Sequence, residues 1–454
     1  MHRRRARTAR VLSWVALSLS LLLFAGAAVG TAVYSHLNTN LRSKDITSRL
    51  GPDRPVVAAT RAVTLLIAGS DSRKGLGDTY GAGGPLEAHS DTLLIVHVSA
   101  DRTWASVVSV PRDSYVPIPS CLDSTGKASK PISGSKINYA FTLGSRPTGD
   151  LADGAACTIK TVEADTGVRI DHFMVVDFTG FRAVVDALGG VPICAPQAIR
   201  DPMANVNLPA GRSVLSGATA LGYVRARYSL GDGSDLGRIQ RQQQFAKSLL
   251  ATARSRLTDP VRTYRFLDAG TKTLVLDRPL GDLRALADLA QSFRAVPMQD
   301  VTFVTVPNRP RSEVVPTDQA NVIWRMPQAR ELFNDLARDR RPKTDAQKRR
   351  GVTLRIQDAT GTSGGAARTA AQLARLGFTV LPGTKAVTPV ESTRILTGPA
   401  GQASALLAQA VLPGSSVEPA AGNPPGGQVT VVVGRRTITP TPTPTGTPAP
   451  KACA

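Results

Sequence analysis

The sequence has few cysteines and histidines, four and five in 454 residues, and none of their spacings resembles a zinc site. The composition therefore gives no support for a structural zinc domain. Disulfides are possible if the chain is exported, because exported compartments are oxidising. The four cysteines, Cys121, Cys157, Cys194 and Cys453, allow three complete pairings, and sequence cannot choose among them. Cys121 with Cys157 is the pair we favour.

Acidic residues are also scarce. The chain has 34 Asp and Glu against 55 Lys and Arg, which gives a formal net charge of +21. In a cytosolic protein such an excess would suggest nucleic acid as the partner. Outside the membrane the same charge favours anionic lipids, phosphates or an anionic cell-wall polymer. The topology of the chain therefore decides between these partners.

Charged side chains are absent from residues 11–34, which are almost all Val, Leu, Ala, Gly, Ser and aromatic. A helix needs about 20 apolar residues to cross a bilayer. Arginines precede this run but do not closely follow it, so the positive-inside rule places residues 1–10 in the cytoplasm and the rest outside. A cleavable signal peptide is the alternative, although the run is longer than a usual signal core. We predict an uncleaved membrane anchor and, because the chain is exported, no nucleic-acid partner.

The chain beyond the anchor, roughly 420 residues, is too long for one ordinary domain. Short apolar strand-like runs alternate with helical patterns from residue 61 to 336, which indicates an α/β domain. Residues 35–60 look like a polar stalk. A charged stretch, 337–351, looks like a basic linker, and 352–434 has the strand–helix–strand pattern of a second, small α/β domain. The Thr/Pro-rich tail, 435–454, cannot form a core.

Polar residues follow several of the apparent strands. Asp71 lies in "GSDSR", Asp91 in "HSDT" and Arg112 in "VPRD". In open α/β sheets ligands bind beyond the carboxyl ends of the strands. The two aspartates could converge on one Mg²⁺, which prefers carboxylate and phosphate oxygens. Alternatively, each aspartate caps a turn with its side chain.

The stretch "YVRARYSLGDGSDLGRIQRQQQ" (223–244) combines arginines with glycines. Arg225 and Arg227 are two apart, so in an extended segment they would point to one face and form a fork for phosphate. The neighbouring tyrosines and valine favour the extended conformation. The alternative is a solvated charged loop with surface ion pairs.

A helix is predicted to begin after this turn, with Asp235 as its N-cap. Arg238 and Gln242 are one helical turn apart and share a face, and Arg238 lies near the helix N-terminus, which favours anions. Lys136, in "SKINYAF", is a further candidate, although alone it would more often be surface decoration. We interpret His89 and His97 as structural.

Six motifs in this order resemble the LytR-CpsA-Psr family: "LLIAGSDSR", "SDTLLIVHV", "SVPRDSYV", "KINYAF", "DFTGFRAVVDALGGV" and "YVRARY…GDGSDLGRIQRQQ". The similarity is strong over residues 61–255 and weaker to about 335. Residues 352–434 resemble the C-terminal domain often attached to actinobacterial members. The resemblance implies a mixed central sheet flanked by helices, with the small α/β domain and one N-terminal transmembrane helix beside it.

The resemblance also implies an extracytoplasmic phosphotransferase that moves a glycopolymer from a polyprenyl-pyrophosphate carrier onto peptidoglycan through a phosphodiester. The residues that match the family's magnesium site are Asp71 and Asp91. Those that match its pyrophosphate site are Arg112, Arg225, Arg227 and Arg238, with Lys136, Asp235 and Gln242 as further polar positions. Asp91 is also the candidate acceptor of the attacking hydroxyl's proton.

Two other functions use the same features. A pyrophosphatase would hydrolyse the carrier with water as the acceptor and would need the same residues. A non-catalytic anchor for anionic wall polymers would keep the basic charge but would need no metal, so the paired aspartates argue against it.

Overall fold

The computed structural model of the chain describes residues 2–57, 60–71, 88–195, 197–226, 235–343, 345–362, 364–381, 388–412, 414–420, 427–436 and 440, without the side chains of 2–13, 235–236 and 345–346. The helices are α1 (His2–Asn40), α2 (Thr47–Leu50), α3 (Asn138–Ser145), α4 (Leu151–Thr166), α5 (Phe178–Ala187), α6 (Gly217–Arg225), α7 (Asp235–Arg256), α8 (Pro260–Thr273), α9 (Leu283–Ala295), α10 (Gln328–Ala337), α11 (Asp345–Arg350), α12 (Gly365–Arg375) and α13 (Gln402–Gln409).

The strands are β1 (Arg42–Lys44), β2 (Val63–Ser70), β3 (Ser90–Val98), β4 (Ala105–Val110), β5 (Tyr115–Ile118), β6 (Ile132–Lys136), β7 (His172–Asp177), β8 (Val191–Ala195), β9 (Ile199–Asp201), β10 (Val206–Leu208), β11 (Gly211–Leu215), β12 (Leu274–Asp277), β13 (Val301–Thr305), β14 (Asn308–Pro310), β15 (Val322–Trp324), β16 (Thr353–Asp358), β17 (Thr379–Leu381), β18 (Arg394–Thr397), β19 (Ser416–Pro419) and β20 (Val429–Val433).

Helix α1 contains a segment, Trp14–Asn40, that is long and apolar enough to cross a membrane. Its large apolar side chains face outward, with Trp14 69% and Phe24 78% exposed. In water such a surface would be unfavourable, because exposed apolar area costs free energy in proportion to its size. The helix therefore has the length and composition predicted for the anchor at 11–34.

A seven-stranded mixed sheet forms the centre of the first unit, in the order β1-β12-β7-β2-β3-β4-β13. Strands β2 and β7 are parallel, as are β4 and β13, whereas β3 runs antiparallel to both of its neighbours. Near-continuous Val, Ile and Leu runs produce these strands because both faces of the sheet are covered. The α/β prediction with a mixed central sheet is confirmed.

Helices cover the two faces of this sheet. On one face the side chains of β2, β3, β4 and β7 pack with α3, α4 and α10 around Phe141, Phe173 and Phe333. On the other face Leu65 and Val96 pack with Leu289 of α9. A further cluster joins α5, α6 and α7 to the small strands β8 to β11. The two faces of the sheet are thus covered by helices, which leaves the strand ends as the places that can carry polar groups.

A separate five-stranded sheet, in the order β17-β16-β20-β18-β19, forms the C-terminal unit. Its core contains Leu354, Leu373, Ile395 and Val431, with α12 and α13 packed against the strands. The predicted strand, glycine turn, helix and strand correspond to β16, α12 and β17.

The favoured disulfide is confirmed: Cys121 and Cys157 are bonded and join the β5–β6 hairpin to α4. Cys194, in β8, is disulfide-bonded as well. The described cysteines are therefore all oxidised, which agrees with the predicted export because disulfides persist in oxidising compartments.

The prediction of a polar stalk at 35–60 is wrong for the described residues up to 57. Strand β1 is the edge strand of the central sheet, and α2 contributes Ile46 and Leu50 to the main core. Arg54 forms a bidentate ion pair with the buried Glu163. The segment is polar because it uses charged side chains, in addition to these two apolar ones, to bind distant parts of the fold.

The basic stretch at 337–351 is also more ordered than a simple linker. It contains the end of α10 and all of α11, and Arg341 pairs with Asp300 at 2.9 Å. Asp339 accepts a hydrogen bond from the buried ring of His97 at 3.0 Å. His97 also stacks on Trp104, so its predicted structural role is confirmed.

Asp165 is a carboxyl group on α4 beside a groove lined by Pro117, Ile132 and Ala164. Its Oδ2 atom is buried without a hydrogen-bond partner among the described residues, and burial raises its pKa from 3.8 to about 7. When folding raises the pKa of an acid, the protein loses stability as the pH rises from the pKa of that acid in the unfolded chain to its pKa in the folded chain. A shift of this size corresponds to roughly 4 kcal/mol at most.

We therefore expect Asp165→Asn to raise the melting temperature by several degrees at pH 8 but to change it little at pH 4. The amide keeps the size of the side chain and removes the buried charge. Thermal melting across this pH range, with the exposed Asp53→Asn as the matched control, tests the prediction. An equal gain at both pH values would contradict it.

Candidate active site

The candidate site lies at one edge of the central sheet. Strands β2, β4 and β7 end at this edge, and β3 begins there because it runs antiparallel to β2 and β4. A bulge between the pairs Gly69↔Thr92 and Ser70↔Ser90 leaves Asp91 at the irregularity. A Cβ on Gly69 would lie only 3.1 Å from the Cβ of Thr92, so glycine allows the two strands to approach closely here. Bulges of this kind redirect side chains at functional edges.

Asp71 follows β2 directly, as predicted. Its backbone N–H donates to the carbonyl oxygen of His89, and the N–H of His89 donates to its Oδ1 at 2.6 Å. The carboxylate is thereby held against the backbone of His89, which lies two residues before Asp91 in the chain. The ring of His89 also lies near, with Nδ1 3.9 Å from Oδ2 of Asp71.

Arg112 and Asp91 form the centre of the site. The guanidinium of Arg112 donates to Oδ1 of Asp91. Its Nε atom lies 3.6 Å from Oδ2 of Asp113. Lys136 in turn donates to Oδ1 of Asp113 at 2.6 Å. The result is a row of alternating charge from β3 to β6, in which each cation orients its neighbour's carboxylate.

Helix α7 closes one side of this row. Arg238 is 3% exposed and donates to the carbonyl oxygen of Asp91 at 3.4 Å. One turn later, Gln242 donates to Thr92 Oγ1 at 3.1 Å and to the carbonyl oxygen of Val224 at 3.3 Å. The predicted shared face of Arg238 and Gln242 is confirmed, and both side chains are directed at the start of β3.

The prediction of an extended segment at Arg225 is wrong. Arg225 is the last residue of α6, and Ala226, with φ −53° and ψ 137°, is the residue that ends the helix. The helix forms because Ala220, Leu221 and Tyr223 bury themselves in the cluster of α5, α6 and α7. This packing outweighs the strand preference of the tyrosine and valine.

The guanidinium of Arg225 lies 4.7 Å from the ring centre of Phe178, the first residue after β7. It therefore reaches the strand end next to that of Asp71, since Ser70 pairs with Asp177. Arg227 lies outside the described residues. Asp235 is the first residue of α7 rather than the residue before it, and its side chain is not described.

Two contributors escaped prediction. Asp113 bridges Arg112 and Lys136, and its position directly after Arg112 was the only signal for it. Arg241 is half-buried, and burial lowers the pKa of its guanidinium. It donates to the carbonyl oxygen of Ala226 and so holds the chain where α6 ends. Burial also raises the pKa of the adjacent Tyr223 to about 12, so this hydroxyl stays protonated.

The carboxylates of Asp71 and Asp91 are the type of ligand that a magnesium ion arriving with a phosphate would need. Both carboxylates are about a quarter exposed, 27% and 26%. No group of three or more His, Cys, Asp or Glu side chains that could hold a metal occurs among the described residues. Mg²⁺ needs no such cage, because it usually takes one or two carboxylates and completes its shell with phosphate oxygens and water.

The fold and this edge define an α/β protein whose strand ends carry carboxylates and arginines suited to an anionic ligand. The model of the LytR_cpsA_psr family matches residues 33–337, and that of the LytR cell envelope-related transcriptional attenuator matches residues 351–436. The chain belongs to the LytR-CpsA-Psr family.

Relatives in this family are named for cell-wall assembly. The chain is 36% identical over 292 residues to the probable cell wall biosynthesis protein LcpB of Corynebacterium glutamicum, covering 62% of each chain. It is 26% identical over 307 residues to the polyisoprenyl-teichoic acid–peptidoglycan teichoic acid transferase TagT of Bacillus subtilis, covering 64% of this chain and 86% of that one. The match thus spans less than two thirds of the Corynebacterium protein.

A crystal structure of a Streptococcus agalactiae protein superimposes with a TM-score of 0.50 at 17% identity, covering 63% of this chain and 90% of that one. At this identity the likeness concerns the fold alone.

Proposed function

We propose that this protein is a membrane-anchored, extracytoplasmic phosphotransferase. It transfers a glycopolymer from a polyprenyl-pyrophosphate carrier to peptidoglycan and forms a phosphodiester. The observation that carries the proposal is the row Asp91–Arg112–Asp113–Lys136 at the strand ends, with Arg238 buried behind it. Relatives named as teichoic acid transferases support the same class of reaction.

In this reaction a hydroxyl of peptidoglycan attacks the phosphorus that carries the glycopolymer. The new P–O bond forms as the bond to the lipid-side phosphate breaks, and polyprenyl phosphate leaves. The hydroxyl proton goes to a base, for which Asp91 is our candidate. Phosphoryl transfer depends chiefly on positioning and on neutralising charge.

The residues of the site divide this work. Arg112 and Arg238 would bind the oxygens of the pyrophosphate, and Arg225 would bind it from the end of β7. Lys136 and Asp113 would hold Arg112 in place. Asp71 and Asp91 would hold Mg²⁺, which when bound neutralises the pyrophosphate and improves the leaving group. Arg227, Asp235 and Gln242 complete the proposed set.

A metal-binding experiment tests the role of the carboxylates independently of catalysis. We expect Asp71→Asn to weaken Mn²⁺ binding at least about tenfold in the presence of inorganic pyrophosphate. Losing even a residue that only supports a metal ligand typically costs about tenfold or more in metal affinity, so losing a ligand should cost at least as much. The free Mn²⁺ signal in electron paramagnetic resonance measures it. Asp288→Asn, an exposed carboxyl on α9, is the matched control. Equal affinity in all three proteins would exclude Asp71 as a ligand.

The function itself is tested with the full chain in nanodiscs, a labelled polyprenyl-pyrophosphate oligosaccharide and peptidoglycan fragments. We expect Mg²⁺-dependent formation of a phosphodiester-linked product, detected by mass spectrometry. Release of the oligosaccharide phosphate that ignores the acceptor would indicate a hydrolase instead. Binding of anionic wall polymer with no turnover at all would indicate a non-catalytic anchor.

A further inference from the structure

The end of α1 is docked firmly on the first unit. Leu37 is 2% exposed, and the hydroxyl of Tyr34 donates to Asp282 Oδ2 at 3.0 Å. The ring Nε2 of His36 lies 3.1 Å from Oδ1 of Asp268. The backbone N–H of Leu283, at the start of α9, donates to the side chain of Asn38 at 3.0 Å. The helix that carries the apolar run thus continues into the fold without a flexible joint.

Helix α8 runs beside α1 in the same direction. Each helix leads into a strand at the same side of the sheet, α1 into the edge strand β1 and α8 into its neighbour β12, and these strands pair in parallel with Arg42 opposite Val275. Asp268, in the second half of α8, contacts α1 near its end. The first half of α8 therefore extends back along α1 toward the apolar run. At 1.5 Å per residue, Val261 lies about 10 Å further along the helix than Asp268.

The first half of α8 presents apolar and basic side chains to the outside. Val261 is 60% and Tyr264 40% exposed, and at a spacing of three they share a face. Arg262 and Arg265 are exposed between and beside them. We call these four residues the α8 outer face. Apolar side chains with flanking arginines are typical of helices in the bilayer interface, where the apolar groups enter and the arginines reach lipid phosphates.

A second cation, on α9, contacts α1 at the end of its apolar run. The guanidinium of Arg284, exposed at the start of α9, lies 5.8 Å from the ring centre of Tyr34, the last residue of the apolar run. Tyrosine at the end of a membrane span commonly lies among the headgroups. A cation beside it is therefore placed where anionic lipid phosphates are found.

We propose that the α8 outer face lies in the lipid headgroup layer, and that its partner is the anionic surface of the bilayer that α1 spans. The proposal rests on the proposed anchoring of the chain. It has a consequence for the site, because Leu274 at the start of β12 pairs with Val176 at the end of β7. Helices α1 and α8 thus join the sheet at the edge where the candidate site lies, so the site is held at a fixed distance from the membrane.

Depth-dependent fluorescence quenching tests this proposal on the full chain in nanodiscs that contain anionic and nitroxide-labelled lipids. A fluorophore is attached at Val261→Cys under non-reducing conditions. Val57→Cys, 64% exposed near the start of β2 at the opposite edge of the sheet, is the matched control. Leu22→Cys, in the apolar run, reports the anchor. We expect the probes at 261 and 22 to lose most of their fluorescence and the probe at 57 to keep most of its own.

Quenching at 22 but not at 261 would overturn the proposal and leave the anchor intact. No quenching at either position would overturn the anchoring on which it depends. Transfer activity would still be measured separately, so neither result would be confused with a failure of the proposed reaction. Purely zwitterionic nanodiscs are expected to reduce the quenching at 261, and unchanged quenching there would contradict the anionic partner.

Discussion

Replacing Arg112 with alanine is expected to lower the rate of glycopolymer transfer by about 10³-fold or more, because removing a preorganised charge from a phosphoryl-transfer site costs this much. Arg112 is 19% exposed and contacts the carboxylates of Asp91 and Asp113. In the row of alternating charge, Arg112 links Asp91 to Asp113 and, through Asp113, to Lys136. Its loss removes a bidentate donor and also releases Asp91.

The effect should fall on turnover rather than on stability. Asp91 and Asp113 are both partly exposed, so water can solvate them once the arginine is gone. Arg112→Lys keeps the charge but not the fork, and an intermediate rate is expected because lysine is a point charge. Arg436→Ala, at a side chain 80% exposed in the C-terminal unit, is the matched control. If Arg112→Ala transferred glycopolymer at the rate of the control, Arg112 would have no role in the reaction.

A double-mutant cycle separates the two roles of Arg112. If it acts only by orienting Asp91, then Arg112→Ala in an Asp91→Asn background should cost little more than Asp91→Asn alone. If it also binds the pyrophosphate, the two losses should be largely additive. We expect the second result, because Arg112 also has Asp113 and Lys136 to position it.

The architecture followed from the sequence wherever apolar periodicity carried the information. Strands β2, β3 and β4 lie close to the apolar runs that predicted them, since those runs are buried on both faces of the sheet. The candidate site followed in part for the same reason, because residues that come just after a buried strand must lie where that strand ends. Asp71 and Arg112 are found there.

The failures share a different cause. Arg225 was assigned to an extended segment from local preferences, but burial of Tyr223 and Leu221 against other helices decides its conformation. Asp113 was not recognised, because its role depends on Lys136, which is brought to it by the pairing of β5 and β6. Such contacts join residues far apart in the chain, and no local pattern encodes them.

The misread segment at 35–57 leads to the second large prediction. Arg54 donates from Nε to Glu163 Oε2 at 2.8 Å and from Nη2 to Oε1 at 2.6 Å, across 109 residues of sequence. It also donates to the carbonyl oxygen of Ile170 at 2.6 Å. Glu163 is 3% exposed. The pair thus clamps the segment that follows α2 onto the end of α4.

We expect Arg54→Ala to lower the free energy of unfolding of the first unit by about 3–5 kcal/mol, because it leaves a buried carboxylate without its partner. Urea unfolding followed by tryptophan fluorescence measures this unit selectively, since Trp104 and Trp324 lie within it and Trp14 lies in the apolar helix. Arg340→Ala removes an exposed partner of Asp335 and should cost no more than about 1 kcal/mol.

The double variant Arg54→Met with Glu163→Leu distinguishes a clamp from an indispensable charge. Replacing a buried ion pair by apolar residues is often close to neutral, whereas removing one partner is not. The double variant should therefore recover much of the stability that Arg54→Ala loses, less the hydrogen bond from the N–H of Ile170 to Glu163. A loss in Arg54→Ala no larger than in Arg340→Ala would mean that this ion pair does not hold the segment after α2 onto α4.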